Sequence, residues 1–165
     1  MSTPTQGAGL QTIMTWLPGI IGMITGITGM VMNFLGRKHQ NNESVLAYFS
    51  SDGNPRYIEA RYFIYNMNEG VIIDEKYNET ERRHVSMITN MFHKWGLLVK
   101  HKHLPFWVFV DSGKITASGL AVVRLYNKLR PTIKYFKEKN DSYAEYFTYL
   151  YERIIEKQPS YLNYK

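Results

Sequence analysis

Cysteine is absent from the 165-residue chain. That excludes a disulfide framework, a thiol nucleophile and a thiolate metal site, and it suits a reducing compartment. Charge is absent from one end: none of the 20 Lys and Arg, and none of the 14 Asp and Glu, precedes Arg37. The same end lacks a basic leader and an A-x-A-like site, so it does not read as a cleaved secretory signal. Its glycines lack the Lys-Ser or Lys-Thr that a phosphate-binding loop requires. Internal repeats and low-complexity stretches are lacking as well.

What that end does contain is a pattern. Thr12, Thr15, Gly19, Gly22, Gly26, Gly29, Asn33 and Gly36 recur at alternating steps of three and four, which helical geometry gathers on one stripe. Ile20, Ile21, Ile24, Ile27, Val31 and Phe34 cover the remaining faces. A bilayer core about 30 Å thick is crossed by roughly 20 apolar residues, and residues 13–35 suffice. The pattern predicts a transmembrane helix over 12–36 behind a short extracytoplasmic N-terminus, 1–11. Arg37, Lys38 and His39 then form a basic stop, and positive residues beside a span stay cytoplasmic. The expected topology is single-pass in a bacterial inner membrane, N-terminus out. Gly22 and Gly26 make a GxxxG match, which lets helix backbones approach closely in lipid. Thr15, Gly19, Gly22, Gly26, Gly29 and Asn33 are therefore the expected oligomer or pore seam, with a second copy of the chain and membrane lipid as partners. Thr25 and Thr28 widen the weakly polar sector beyond one line, which makes a ring available as well as a dimer.

All the charge, net +6, lies in the remaining residues, about 130 of them, enough for one core. Residues 37–158 read as one cytoplasmic helical domain and 159–165 as a tail. Asn41 or Asn42 is placed to cap a short helix through Phe49 that stops in the turn-like Ser50, Ser51, Asp52, Gly53. Asn54 followed by Pro55 opens a second, with Tyr57, Ala60, Arg61, Ile64 and Tyr65 on one face. Val71 to Ile73 reads as a brief extended connection. Asn78 and Glu81 form a capping box for a long helix burying Val85, Ile88, Met91, Phe92, Trp95, Leu98 and Val99, ended by Pro105. Phe106 to Val110 is too short and too uniformly apolar to assign, and Asp111, Ser112 and Gly113 read as a turn. A fourth helix, from Thr116 to Lys139, is expected to bury Leu120, Val123, Tyr126 or Leu129, Ile133 and Phe136 and to bend at Pro131. Asn140 or Asp141 is the expected cap of a fifth, carrying Tyr143, Tyr146, Phe147, Leu150, Tyr151 and Ile154. The fold class is all-α: one transmembrane helix and a five-helix bundle.

Little of this carries chemistry. His84, His93, His101 and His103 lack the three-or-four spacing that puts metal ligands on one helix face. No pair of carboxylates is marked out by its neighbours, so neither a catalytic set nor a cofactor is expected. A polar pocket around Arg61, Asn90 and Arg124 would revive an enzyme; its structural counterpart is an ion pair with Glu59 or Asp111. Lys94, Lys100 and Lys102 form a basic cluster, suited with Arg37 and Lys38 to a partner or to anionic lipid heads. Arg130, Lys134 and Lys137 line a second basic face. Trp95, Tyr126 and Tyr135 fall at core-like spacing and not as stacking platforms, which argues against direct nucleic-acid binding.

Residues 40–155 resemble a widespread family of small bacterial membrane-anchored proteins known as a domain of unknown function. The likeness rests on ARYFIYN (Ala60 to Asn66), MFHKWGLLVKHKHLP (Met91 to Pro105), LAVVRLYNKLRPTIKYFKEKN (Leu120 to Asn140) and YFTYLYERI (Tyr146 to Ile154). It implies membrane anchoring and no particular activity. In plan, a charge-free span, a basic stop and a small helical domain, the chain also resembles the membrane accessory proteins of RNA-guided, RNA-cleaving CRISPR effectors. That likeness implies an oligomeric inner-membrane pore that depolarises the cell, with an RNA-guided effector as partner. Helical-bundle RNases of microbial defence carry an Arg with a His five to seven positions later, and no Arg here has one. The expectation is a homo-oligomeric pore-forming defence protein and not an enzyme, the alternative being a membrane-tethered adaptor for a cytoplasmic protein or RNA.

Overall fold

The computed structural model describes residues 42–162 and Tyr164. The expected span, its seam and the basic stop at Arg37 and Lys38 lie outside these residues. Among the described residues there are five helices, and the domain is mostly helical as the periodicity predicts. The first, α1, is helical over 42–52. Next come α2 (Pro55–Asn66), α3 (Glu79–Lys100), α4 (Ala117–Lys139) and α5 (Glu145–Lys157). No helix of the described residues is long and apolar enough to cross a membrane.

Local chemistry sets most helix starts. Asn54 Oδ1 accepts from the Arg56 amide while Pro55, at the first helical position, needs no partner for an amide it lacks. The Asn78–Glu81 capping box forms in full, each side chain bonding the other's backbone. Thr116 Oγ1 accepts from the Gly119 amide to start α4. The fifth start differs from expectation. Asn140 ends α4, its side chain accepting from the Ser142 amide, and α5 begins after Ala144, which takes a left-handed φ of 53° and offers no side-chain cap. Two other boundaries differ: α1 continues through Ser50 and Ser51 to Asp52, and α3 stops at Lys100, well before Pro105, while α4 runs through Pro131 as the single helix expected.

Helix α3 packs on α2 and on α5, and α4 packs on the same two, so the four close into a cycle around one core. Phe92 of α3 stacks on Phe147 of α5 at 5.1 Å. Gly96 is required there: a Cβ on it would run into the Tyr146 carbonyl oxygen. From α1, Tyr48 enters the core edge-on to Trp95 (5.2 Å) and Phe109 (5.4 Å), and burial pushes its hydroxyl up to about 12. On α4 the buried stripe is Val122, Val123, Leu125, Tyr126, Leu129, Thr132 and Ile133; Leu120 and Phe136 are only half-buried.

Two features depart from a pure bundle. Phe106–Val108 forms a single 3₁₀ turn leading into a hairpin, β1 (Val110–Asp111) against β2 (Lys114–Ile115), with Val110 opposite Ile115. Its two loop residues, Ser112 and Gly113, have φ of 47° and 73°, the mirror-image turn that matches strand twist. The stretch from Val71 to Ile73 forms no strand and is pinned to α4 instead. There the buried Thr132 Oγ1 accepts from the Ile73 amide at 3.0 Å.

Candidate functional site

The basic residues singled out in the sequence do not share one environment. Lys94 is exposed and its ammonium lies 5.1 Å over the ring of its neighbour Trp95. Lys100 turns toward α5, 4.8 Å from the Tyr146 ring and 3.7 Å from the Glu145 carboxylate. Lys102 is exposed in the turn after α3, with φ 61°. Among the histidines, His84 lies against Phe63 of α2 and His93 edge-on to Tyr146 of α5. No group of three or more His, Asp or Glu among the described residues could hold a metal.

Arg61, Asn90 and Arg124 do not converge on a polar pocket. Arg61 pairs with Asp52 at 2.7 Å, binds that residue's carbonyl too, and so clamps the end of α1 to α2. The carboxylate is neither Glu59 nor Asp111. Asn90 is exposed and donates to Ser86. Trp95 and Tyr126 are buried and Tyr135 half-buried, so the first two are core residues.

Arg124 belongs to a different feature, a notch of about 260 Å³ on α4. Arg124 and Lys128 stand four apart on the helix, hence on one face, and Arg130 completes the cationic wall. Glu69 and Gly70, from the connection after α2, and Leu162 and Tyr164, from the tail, close the other sides. Gly70 has φ 79°, a left-handed turn that suits glycine. Lys128 Nζ donates to the Met67 carbonyl at 2.8 Å, a cation at the carbonyl end of α2 where the helix dipole favours it. The tail is tied down by Asn127 Nδ2 donating to the Tyr164 carbonyl at 2.9 Å, and by Tyr151 donating to the Leu162 carbonyl at 3.3 Å. Arg130 Nη2 donates to the Tyr151 hydroxyl at 2.6 Å. The Arg124 guanidinium lies 5.4 Å from the Tyr65 ring centre and 5.7 Å from that of Tyr164. Among the described residues, none of the three cations forms an ion pair within 4.0 Å. Burial raises the Tyr65 hydroxyl above its usual value, against the opposing pull of Arg61 and Arg124.

The second basic face is a broader groove of about 560 Å³, and its charge is balanced. Arg130, Lys134 and Lys137 there share the walls with Glu138, Asp141 and Glu152. No expectation from the sequence named this notch; the signal that points to it is the four-residue spacing of Arg124 and Lys128 on a helix. Its other walls come from residues far away along the chain, which no local pattern announces. Compared with protein-family models, curated proteins and solved structures, the chain matches none significantly.

Proposed function

We propose that this chain is a homo-oligomeric, single-span protein of the bacterial inner membrane, its helical domain in the cytoplasm, acting as a pore-forming effector or accessory protein of antiviral, CRISPR-linked defence. The observation that carries the reading is the charge-free stretch over 12–36 with its three-four stripe of small residues, closed by Arg37 and Lys38. Small residues drive helix association in lipid through close packing. Under this reading the span comes from residues 12–36 and the described helices form the cytoplasmic body. Exposed apolar side chains on that body support contact between copies: Leu46 (70%) and Phe49 (50%) on α1, Ile58 (52%) and Tyr62 (72%) on α2. The family resemblance of residues 40–155 supports anchoring, and the likeness of plan supports the pore.

Conductance of the purified protein in planar bilayers tests the pore. Current is expected once oligomers are present, and oligomers without current count against it. Gly22→Leu and Gly26→Leu are expected to break assembly, and an unchanged particle size in detergent defeats the seam. The second reading, a tethered adaptor for a cytoplasmic protein or RNA, is favoured by the exposed Lys94. Substituting Lys94, Lys100 and Lys102 separates the two, since an adaptor loses its partner while a pore still assembles.

A further inference from the structure

The notch on α4 depends neither on a membrane span nor on assembly, and its chemistry is that of an anion receptor. Arg124 presents a planar fork positioned beside two tyrosine rings, an arrangement suited to paired N–H bonds with phosphate oxygens. Lys128 spends one N–H on the Met67 carbonyl and retains two. Arg130 is held by Tyr151 and by Asn127 through Nη2, which fixes its guanidinium at the rim. Among the described residues the walls set one carboxylate, Glu69, against these three cations, a surplus of two positive charges. The broader groove beside it has three carboxylates against its three cations and no surplus. Ligand cavities that enclose a whole small molecule start at about 300 Å³. At about 260 Å³ the notch holds a charged head group and leaves the rest of its ligand outside.

We infer that this notch binds a phosphate monoester, its dianionic phosphate engaged by Arg124 and Lys128 with Arg130 at the rim. The phosphate can belong to a soluble nucleotide or to a lipid head group of the same chemistry. The test uses the full-length protein in nanodiscs of phosphatidylcholine, titrated calorimetrically with AMP and with inorganic phosphate. In the second arm the phosphatidylcholine nanodiscs carry a minor fraction of phosphatidate, and the phosphatidate retained by the protein is read by native mass spectrometry. Saturable binding of AMP identifies a soluble ligand, and retention of phosphatidate over phosphatidylcholine, without AMP binding, identifies a lipid. In either arm, Arg124→Ala and Lys128→Ala each weaken binding by about tenfold or more, the loss of a charged hydrogen bond. Arg124→Lys falls between, because it keeps the charge and loses the fork. Lys114→Ala, which removes the same charge from the exposed hairpin, leaves affinity unchanged. Folding of every variant is checked by circular dichroism. Failure of the folded protein to bind any of the probes, or binding indifferent to both Arg124 and Lys128, overturns the inference.

Discussion

The contact between α3 and α5 and the outer face of α4 are built on opposite principles. In the first, Phe92 stacks on Phe147, Gly96 admits the backbone of Tyr146, and Leu150 and Ile154 are buried. In the second, cations rest on rings, a carbonyl or a carboxylate and water reaches most of them: Arg124 beside Tyr65 and Tyr164, Lys128 on the Met67 carbonyl, Lys139 on the Glu75 carboxylate and the Tyr135 hydroxyl. Dense apolar packing supplies the stability of such a domain, whereas exposed ion pairs contribute little to it. The outer face of α4 is thus free to serve recognition.

Substitutions should separate the two regions by the size of their effect. Phe147→Ala is expected to lower unfolding free energy by about 3–5 kcal/mol, the cost of emptying a fully buried aromatic site, measured by urea denaturation of residues 42–165 within the full chain. A loss under about 1 kcal/mol removes the claim that this contact holds the bundle together. Gly96→Ala comes next. Replacing a helical glycine gains about 1 kcal/mol, but the new Cβ meets the rigid Tyr146 backbone, so overpacking wins and a net loss of about 1–3 kcal/mol is expected. A stabilised variant shows that α5 can simply step aside.

On the α4 face the effects shrink. Arg124→Ala should change stability by no more than about 1 kcal/mol, the scale of an exposed cation–π contact. A larger loss makes Arg124 a structural residue and weakens the contrast. The smallest effect concerns acid. Hydrogen bonding from Lys139, aided by Tyr135, holds the Glu75 carboxyl down at about 2, against an ordinary 4.5. A depressed carboxylate stabilises the fold above its unfolded value and loses that contribution as pH falls through its folded one. Wild type should therefore lose slightly more stability than Glu75→Gln between pH 4.5 and about 2. High salt should shrink the difference, because the pair is exposed. Parallel curves at low salt show that the pair does not form in solution.

Helix content was legible in the sequence wherever a cap and a period agreed. Asn54 with Pro55, and Asn78 with Glu81, each named their helix start because the capping bonds are local and need no tertiary partner. The start of α5 differs from the expected cap at Asn140 or Asp141 for the complementary reason. Asn140 does bond the local backbone, at Ser142, but Ala144 in a left-handed conformation sets the true boundary, and alanine carries no signal for it. Burial of Thr132 depends on its bond to Ile73, and burial of Gly96 on a carbonyl of another helix, both long-range facts. The same distinction governs the notch. Arg124, expected beside Arg61 and Asn90, instead faces outward four residues from Lys128, and Gly70 and Tyr164 join them only through the fold.

The proposal that copies of the chain associate along residues 12–36 is tested most directly by the mass of the full-length particle extracted into native nanodiscs. A discrete assembly is expected, of about six or more copies if the stripe closes a ring around a pore. Two copies would keep the seam and remove the pore. A particle containing a single polypeptide would contradict both.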